Sequence, residues 1–161
     1  MEQEAYVMGI DTGKTGAVGL VSENGAFLAV FDVPLDEVGW IELGNEIEAA
    51  YGRPKAVFVE QVNPGVFTKK GQKARTQGVI SAFNMGGQYR MACLWAASFG
   101  VRWDTVPPGT WKKTFGLIKK EKEDSRQYAR RLFPDAPLER KKDHNRAEGL
   151  LIGEWGRKYG L

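Results

Sequence analysis

The sequence predicts an α/β fold: a mixed five-stranded sheet, three strands antiparallel and two parallel, flanked by helices. Three observations predict it. Short apolar runs end abruptly at turn residues, an Asn-Gly pair joins the second run to the third, and segments of helical period separate the later runs. In chain order, Tyr6 to Ile10 is a short buried strand closed by Asp11-Thr12-Gly13, which leaves a carboxylate at its end. Ala17 to Val21 and Ala26 to Val33 flank Ser22-Glu23-Asn24-Gly25, a polar turn suited to a tight hairpin, so the first three strands form an antiparallel meander. From Leu35 to Tyr51 the residues Val38, Ile41, Ile47 and Ala50 stand near helical spacing, and Gly52-Arg53-Pro54 ends that helix. Ala56 to Val59 is a fourth strand with Glu60 at its end.

Asn63 to Gln77 has no apolar period and opens on Asn-Pro-Gly, so it is expected to be a long exposed loop. Gly78 to Phe99 is apolar enough for a largely buried helix, with close packing or a break expected at Gly86-Gly87. Val101 to Val106 is the fifth strand, stopped by Pro107-Pro108. A short helix around Thr110 to Phe115, a basic amphipathic helix from Lys122 to Phe133 and a last helix from Arg146 to Tyr159 complete the order.

A length of 161 residues suits one domain over 1–161, at roughly 100–200 residues per domain. No uncharged apolar run approaches the ~20 residues of a membrane span, and the acidic start, Met1-Glu2-Gln3-Glu4, lacks the pattern of a secretory signal. A cytoplasmic location and no membrane partner are expected. One cysteine, Cys93, and one histidine, His144, exclude a disulfide scaffold and a zinc finger. The net charge of +3 conceals a split: residues 1–62 carry 11 acidic and 3 basic side chains, and residues 63–161 carry 9 and 20. Lys69, Lys70, Lys73 and Arg75 fall in one short stretch, the footprint of a polyanion binder, although such runs also occur as plain solvated surface.

Gly13-Lys14-Thr15 has the tail of a phosphate-binding P-loop, but the first glycine would fall on Met8 and strand residues follow, so the motif lacks its parts. Asp11-Thr12-Gly13 also resembles the phosphate hairpin of the actin, Hsp70 and sugar-kinase superfamily, a fold that needs two such domains. The stronger constellation is Asp11 and Glu60 at two strand ends, with Asp143 and Glu148 around the start of the last helix. Clustered carboxylates repel, and Mg²⁺, which prefers carboxylate oxygens and bridges phosphates, resolves the repulsion. Blander readings exist. Asp11 suits a tight bend, and Asn145 with Glu148 fits a capping box, with Asp143 favouring the helix N-terminus.

Gly-Ile-Asp on the first strand, Val59-Glu60-Gln61 on the fourth, a basic loop into a glycine-containing helix and Lys-Lys-Asp-His-Asn-Arg-Ala-Glu-Gly-Leu-Leu-Ile near the end together resemble the RuvC-type Holliday junction resolvases, nearest their phage and chloroplast branches. The resemblance implies an RNase H-like fold, a homodimer, two Mg²⁺ ions per site with Mn²⁺ as a substitute, no small-molecule cofactor, and paired nicks in four-way DNA junctions. Asp11 and Glu60 carry over as catalytic metal ligands. The last pair departs from the pattern, because Asn145 stands three residues before Glu148 where many resolvases have an acid. Asp143 and Glu148 lie five residues apart, about 140° around a helix, so Asp143 must precede the helix to join the site. His144, one turn before Glu148, is a candidate ligand or proton carrier. The resemblance also marks Phe67 as the loop aromatic that stacks on or wedges between bases, within a DNA-binding set of Lys69, Lys70, Lys73 and Arg75. Lys112, Lys113 and Lys122 resemble the lysines near the scissile phosphate.

The expected activity is a metal-dependent DNA endonuclease of branched DNA. An actin-like nucleotide-binding ATPase fragment and a DNA-binding module without catalysis are the alternatives.

Overall fold

Five strands form one sheet in the order β3-β2-β1-β4-β5. The structure, a computed structural model, describes residues 4–62 and 78–161. The strands are β1 (Tyr6–Asp11), β2 (Ala17–Ser22), β3 (Phe27–Asp32), β4 (Ala56–Glu60) and β5 (Arg102–Val106). β1 pairs antiparallel with β2, and β2 with β3, whereas β4 runs parallel to both β1 and β5. That is the mixed sheet the sequence predicts. Parallel pairing follows from the helices that intervene, α1 (Glu37–Tyr51) before β4 and α2 (Val79–Ser98) before β5, since a parallel return needs a crossover.

The side chains of β1 alternate between two apolar layers, as the two-residue strand period requires. Tyr6, Met8 and Ile10 join Val57 and Val59 of β4 in a core with Trp40, Leu43 and Ile47 of α1 and Trp95 and Ala96 of α2. Val7 joins Ala56 and Phe58 in a second core, closed by α3 (Pro108–Thr114), α4 (Lys122–Leu132) and α5 (His144–Trp155). By the same alternation, Asp11 and Glu60 belong to the α5 side of the sheet.

α5 lies directly on β1 and β2. A Cβ on Gly19 would sit 2.6 Å from the Leu150 backbone nitrogen, and one on Gly9 would collide with the Gly149 carbonyl and the Gly153 backbone. Glycines on both surfaces therefore let the helix and strand backbones touch. Arg146, near the start of α5, ties it to the end of β3 through two bonds to Asp32, at 2.8 and 2.9 Å.

Three expectations need correction. α1 begins at Glu37 rather than Leu35, because the Asp36 carboxylate accepts the Gly39 N–H at 2.8 Å and caps the helix there. α2 is unbroken through Gly86-Gly87, and it is not largely buried: Val79, Ile80, Phe83 and Leu94 are 70–85% exposed. α5 starts at His144, two residues earlier than expected, and passes at Gly156 into a π-helical turn. Among the described residues, no helix is long and apolar enough to cross a membrane.

Candidate active site

β1 and β4 are adjacent and in register, with Ile10 opposite Val59, so the next residues, Asp11 and Glu60, end level with one another on the same face. The third acid arrives on α5, where Glu148 is buried against this face. The three carboxylates act on one another. Burial pushes Asp11 up to about 6, Glu148 adds to that rise, and the Gly13 N–H, donated to Asp11 Oδ1 at 3.1 Å, opposes it. Burial also raises Glu60 to about 7, assisted by Asp11 and by Glu148.

Two cations and an indole counter this crowding. Lys112 of α3 places Nζ 3.7 Å from Glu148 Oε1, and its charge also lowers the pKa of Asp11 and Glu60. Lys122, at the start of α4, acts on Asp11. Trp111 donates its Nε1–H to Glu60 Oε2 at 2.7 Å. Lys113 is exposed on the same short helix and is not among the principal charges at either acid.

Asp143 is placed differently. It lies in a 3₁₀ turn (Lys141–Asp143) just ahead of α5, as it must to approach the site, and is 2% exposed. Its carboxylate, however, is engaged elsewhere. Oδ2 accepts the Arg140 backbone N–H at 2.8 Å, and the Arg140 guanidinium grips Oδ1 at 2.8 and 3.1 Å. Burial alone would raise its pKa, but these bonds outweigh burial and hold it below the ordinary value. The structure therefore brings together Asp11, Glu60 and Glu148, and places Asp143 in the grip of Arg140. His144 is half-buried, with Nδ1 2.9 Å from the Lys141 carbonyl oxygen. The capping-box reading of Asn145 and Glu148 has no counterpart, since α5 has Asp143 at its N-cap and no side-chain cap bond. Phe67, Lys69, Lys70, Lys73 and Arg75 lie outside the described residues.

No protein-family model matches the sequence, and no curated protein sequence matches it. Solved structures do. The chain is similar to T. thermophilus RuvC in complex with a Holliday junction substrate, with 20% identity and a TM-score of 0.61 over 92% of this chain and 90% of that one. It is also similar to a second T. thermophilus RuvC structure, with 19% identity and a TM-score of 0.61 over 96% of each chain. The fold is that of RuvC. With its mixed sheet, this RuvC-type fold is RNase H-like, as the sequence resemblance implied.

Within the RuvC-type fold of this chain, Gly13-Lys14-Thr15 sits in the turn between β1 and β2 and leads into a strand, so a P-loop is absent there. Among the described residues, no three His, Cys, Asp or Glu side chains stand close enough together to hold a metal ion by themselves. The donor chemistry nevertheless fits a hard divalent cation: the donors are all oxygen, partly dehydrated, and negative beyond what Lys112 and Lys122 neutralise. Mg²⁺ in such sites typically takes one or two carboxylates, water and substrate phosphate rather than a cage of side chains. A concavity of about 990 Å³ opens between the turn after β1, the start of α1 and α2, with Thr12, Lys14, Trp40 and Met91 in its wall, and none of the four acids lines it. Sequence reasoning missed Trp111 and Arg140. Trp111 carried one usable signal, its position beside Lys112 directly after the strand that neighbours Glu60.

Proposed function

We propose that this chain is a structure-selective, metal-dependent DNA endonuclease that resolves Holliday junctions by paired nicks, acting as a homodimer. The observation that carries the proposal is the meeting of Asp11, Glu60 and Glu148, from three separate elements, beside Lys112 and Lys122. Similarity to a RuvC bound to a Holliday junction substrate supports the choice of DNA. Asp11, Glu60 and Glu148 would hold the divalent ions, two per site in the full reading, with Asp143 joining only if Arg140 releases it. The chemistry that divalent ions would supply when held by these carboxylates is activation of a water and stabilisation of the departing 3′ oxygen. Lys112 and Lys122 would face the scissile phosphate and offset the charge that develops on it. The basic stretch of Lys69, Lys70, Lys73 and Arg75 would follow the phosphate backbone, with Phe67 against unpaired bases and Lys113 on the flanking duplex.

The homodimer has support in α2. Ile80, Phe83 and Leu94 are exposed and, together with Gly87, fall at spacings of three, four and seven residues, which is one side of a helix. No described atom comes within 4 Å of a Cβ built on Gly86 or Gly87, so this stripe is open to another helix.

A labelled four-way junction, incubated with and without Mg²⁺, tests the reading. Mg²⁺-dependent symmetric nicks are expected from the wild type, with none from Asp11→Asn, Glu60→Gln or Glu148→Gln, all three of which still bind the junction. Junction binding without cleavage under any divalent ion leaves a DNA-binding module, and ATP turnover would favour the nucleotide-binding alternative. Full activity in Asp143→Asn removes that residue from the site.

A further inference from the structure

Trp111 takes no part in the chemistry proposed above, yet among the described residues it makes the shortest direct bond to any of the three carboxylates, 2.7 Å from Nε1 to Glu60 Oε2. Its ring is wholly buried, packed with Val106, Phe115, Leu117 and Ala129. The core, not the site, therefore sets where the indole N–H points. The next residue, Lys112, reaches back so that Nζ lies 5.1 Å from the Trp111 ring centroid and 3.7 Å from Glu148 Oε1. One short helix thus presents two donors of different kinds to two acids.

The difference in kind matters. An ammonium group cancels part of a carboxylate's charge, whereas an indole N–H is a neutral donor that accepts nothing and stays protonated at any ordinary pH. Bound to Oε2, it fixes the direction of Glu60 and leaves the full negative charge in place. Glutamate is otherwise rich in rotamers, and fixing such a side chain costs conformational entropy. With the indole already holding the carboxylate, that cost is met during folding rather than on ion capture.

We propose that Trp111 is a positioning residue for divalent-ion binding, holding the Glu60 carboxylate in place beside Asp11 through its indole N–H. The inference rests on the metal-dependent reading above. It assigns Trp111 no contact with DNA.

The test is Mn²⁺ binding to the whole chain without DNA, by calorimetry, for the wild type and for Trp111→Phe, which deletes the N–H and keeps most of the ring. A dissociation constant raised about tenfold is expected, the usual effect of losing a partner that orients a metal ligand. A second measurement uses the wild type alone. The indole N–H signal of Trp111 in a ¹H–¹⁵N spectrum is expected to move along a Mg²⁺ titration with the same saturation as binding, whereas an indole that only fills the core keeps its shift. Wild-type affinity in Trp111→Phe, or an indole signal indifferent to Mg²⁺, overturns the assignment and leaves the metal reading intact. A wild type that binds no Mn²⁺ overturns both.

Discussion

Asp11 and Glu60 are costly residues to keep ionised, and the cost has a pH signature. Asp11 moves from 3.8 to about 6 and Glu60 from 4.5 to about 7 on folding, burial first and neighbouring carboxylates second. A carboxyl whose folded pKa is raised binds more protons folded than unfolded between the two values, so stability falls as pH climbs through that interval and the penalty is complete above it. For Asp11 the interval, from 3.8 to about 6, is worth on the order of 3 kcal/mol. In chelator, Asp11→Asn is therefore expected to melt with the wild type near pH 3.5 and progressively above it from pH 4 to 6, keeping the advantage at pH 8. A constant difference across pH would show that the acid is not under this stress. Ion capture should run the other way: the apparent Mn²⁺ affinity of the metal-free protein is expected to rise as pH climbs through about 7, where Glu60 loses its proton, and an affinity independent of pH between about 5 and 8 would remove Glu60 from the site.

At the scale of elements, the decisive contact is α5 against β1 and β2, because it delivers Glu148 to Asp11. Gly9 and Gly19 make the approach possible, and neither position has room for a methyl group unless backbone moves. Gly9→Ala is expected to cost at least 1–3 kcal/mol in urea unfolding, the usual price of overpacking, and to reduce nicking further by lifting Glu148 away. An active, fully stable Gly9→Ala would contradict the close packing. The segment before α5 is held from α4. Buried Arg126 donates to the Leu138 and Glu139 carbonyls at 2.6 and 2.9 Å while Glu123 grips its other edge. Arg126→Leu strands the buried Leu138 carbonyl and should destabilise by roughly 1–3 kcal/mol. Unfolding at the wild-type urea midpoint would show that this carbonyl finds another partner.

For the whole molecule, the exposed stripe of α2 is where the proposed pairing of subunits is tested. Phe83→Glu, on a side chain 80% exposed, is expected to convert a dimer to a monomer by sedimentation without lowering the melting temperature of the monomer. A dimer that survives it uses another face. Much of this molecule was legible in the sequence. Strand runs, their turns and the carboxylates at the ends of β1 and β4 are local signals, because strand period and turn chemistry act over a few residues. The mixed sheet followed, since a hairpin forces antiparallel pairing and a helix between strands permits parallel return. Other features had no local signature. The α2 stripe reads as core because an apolar side chain looks the same whether a core or open surface meets it, and the charge of Asp143 does not announce the Arg140 fork that holds it. Sequence by itself determined which residues could carry negative charge to the ends of elements. Only tertiary structure decided which of them meet, since register between β1 and β4, glycine contact under α5 and the reach of Trp111 and Lys112 are distances between segments remote along the chain.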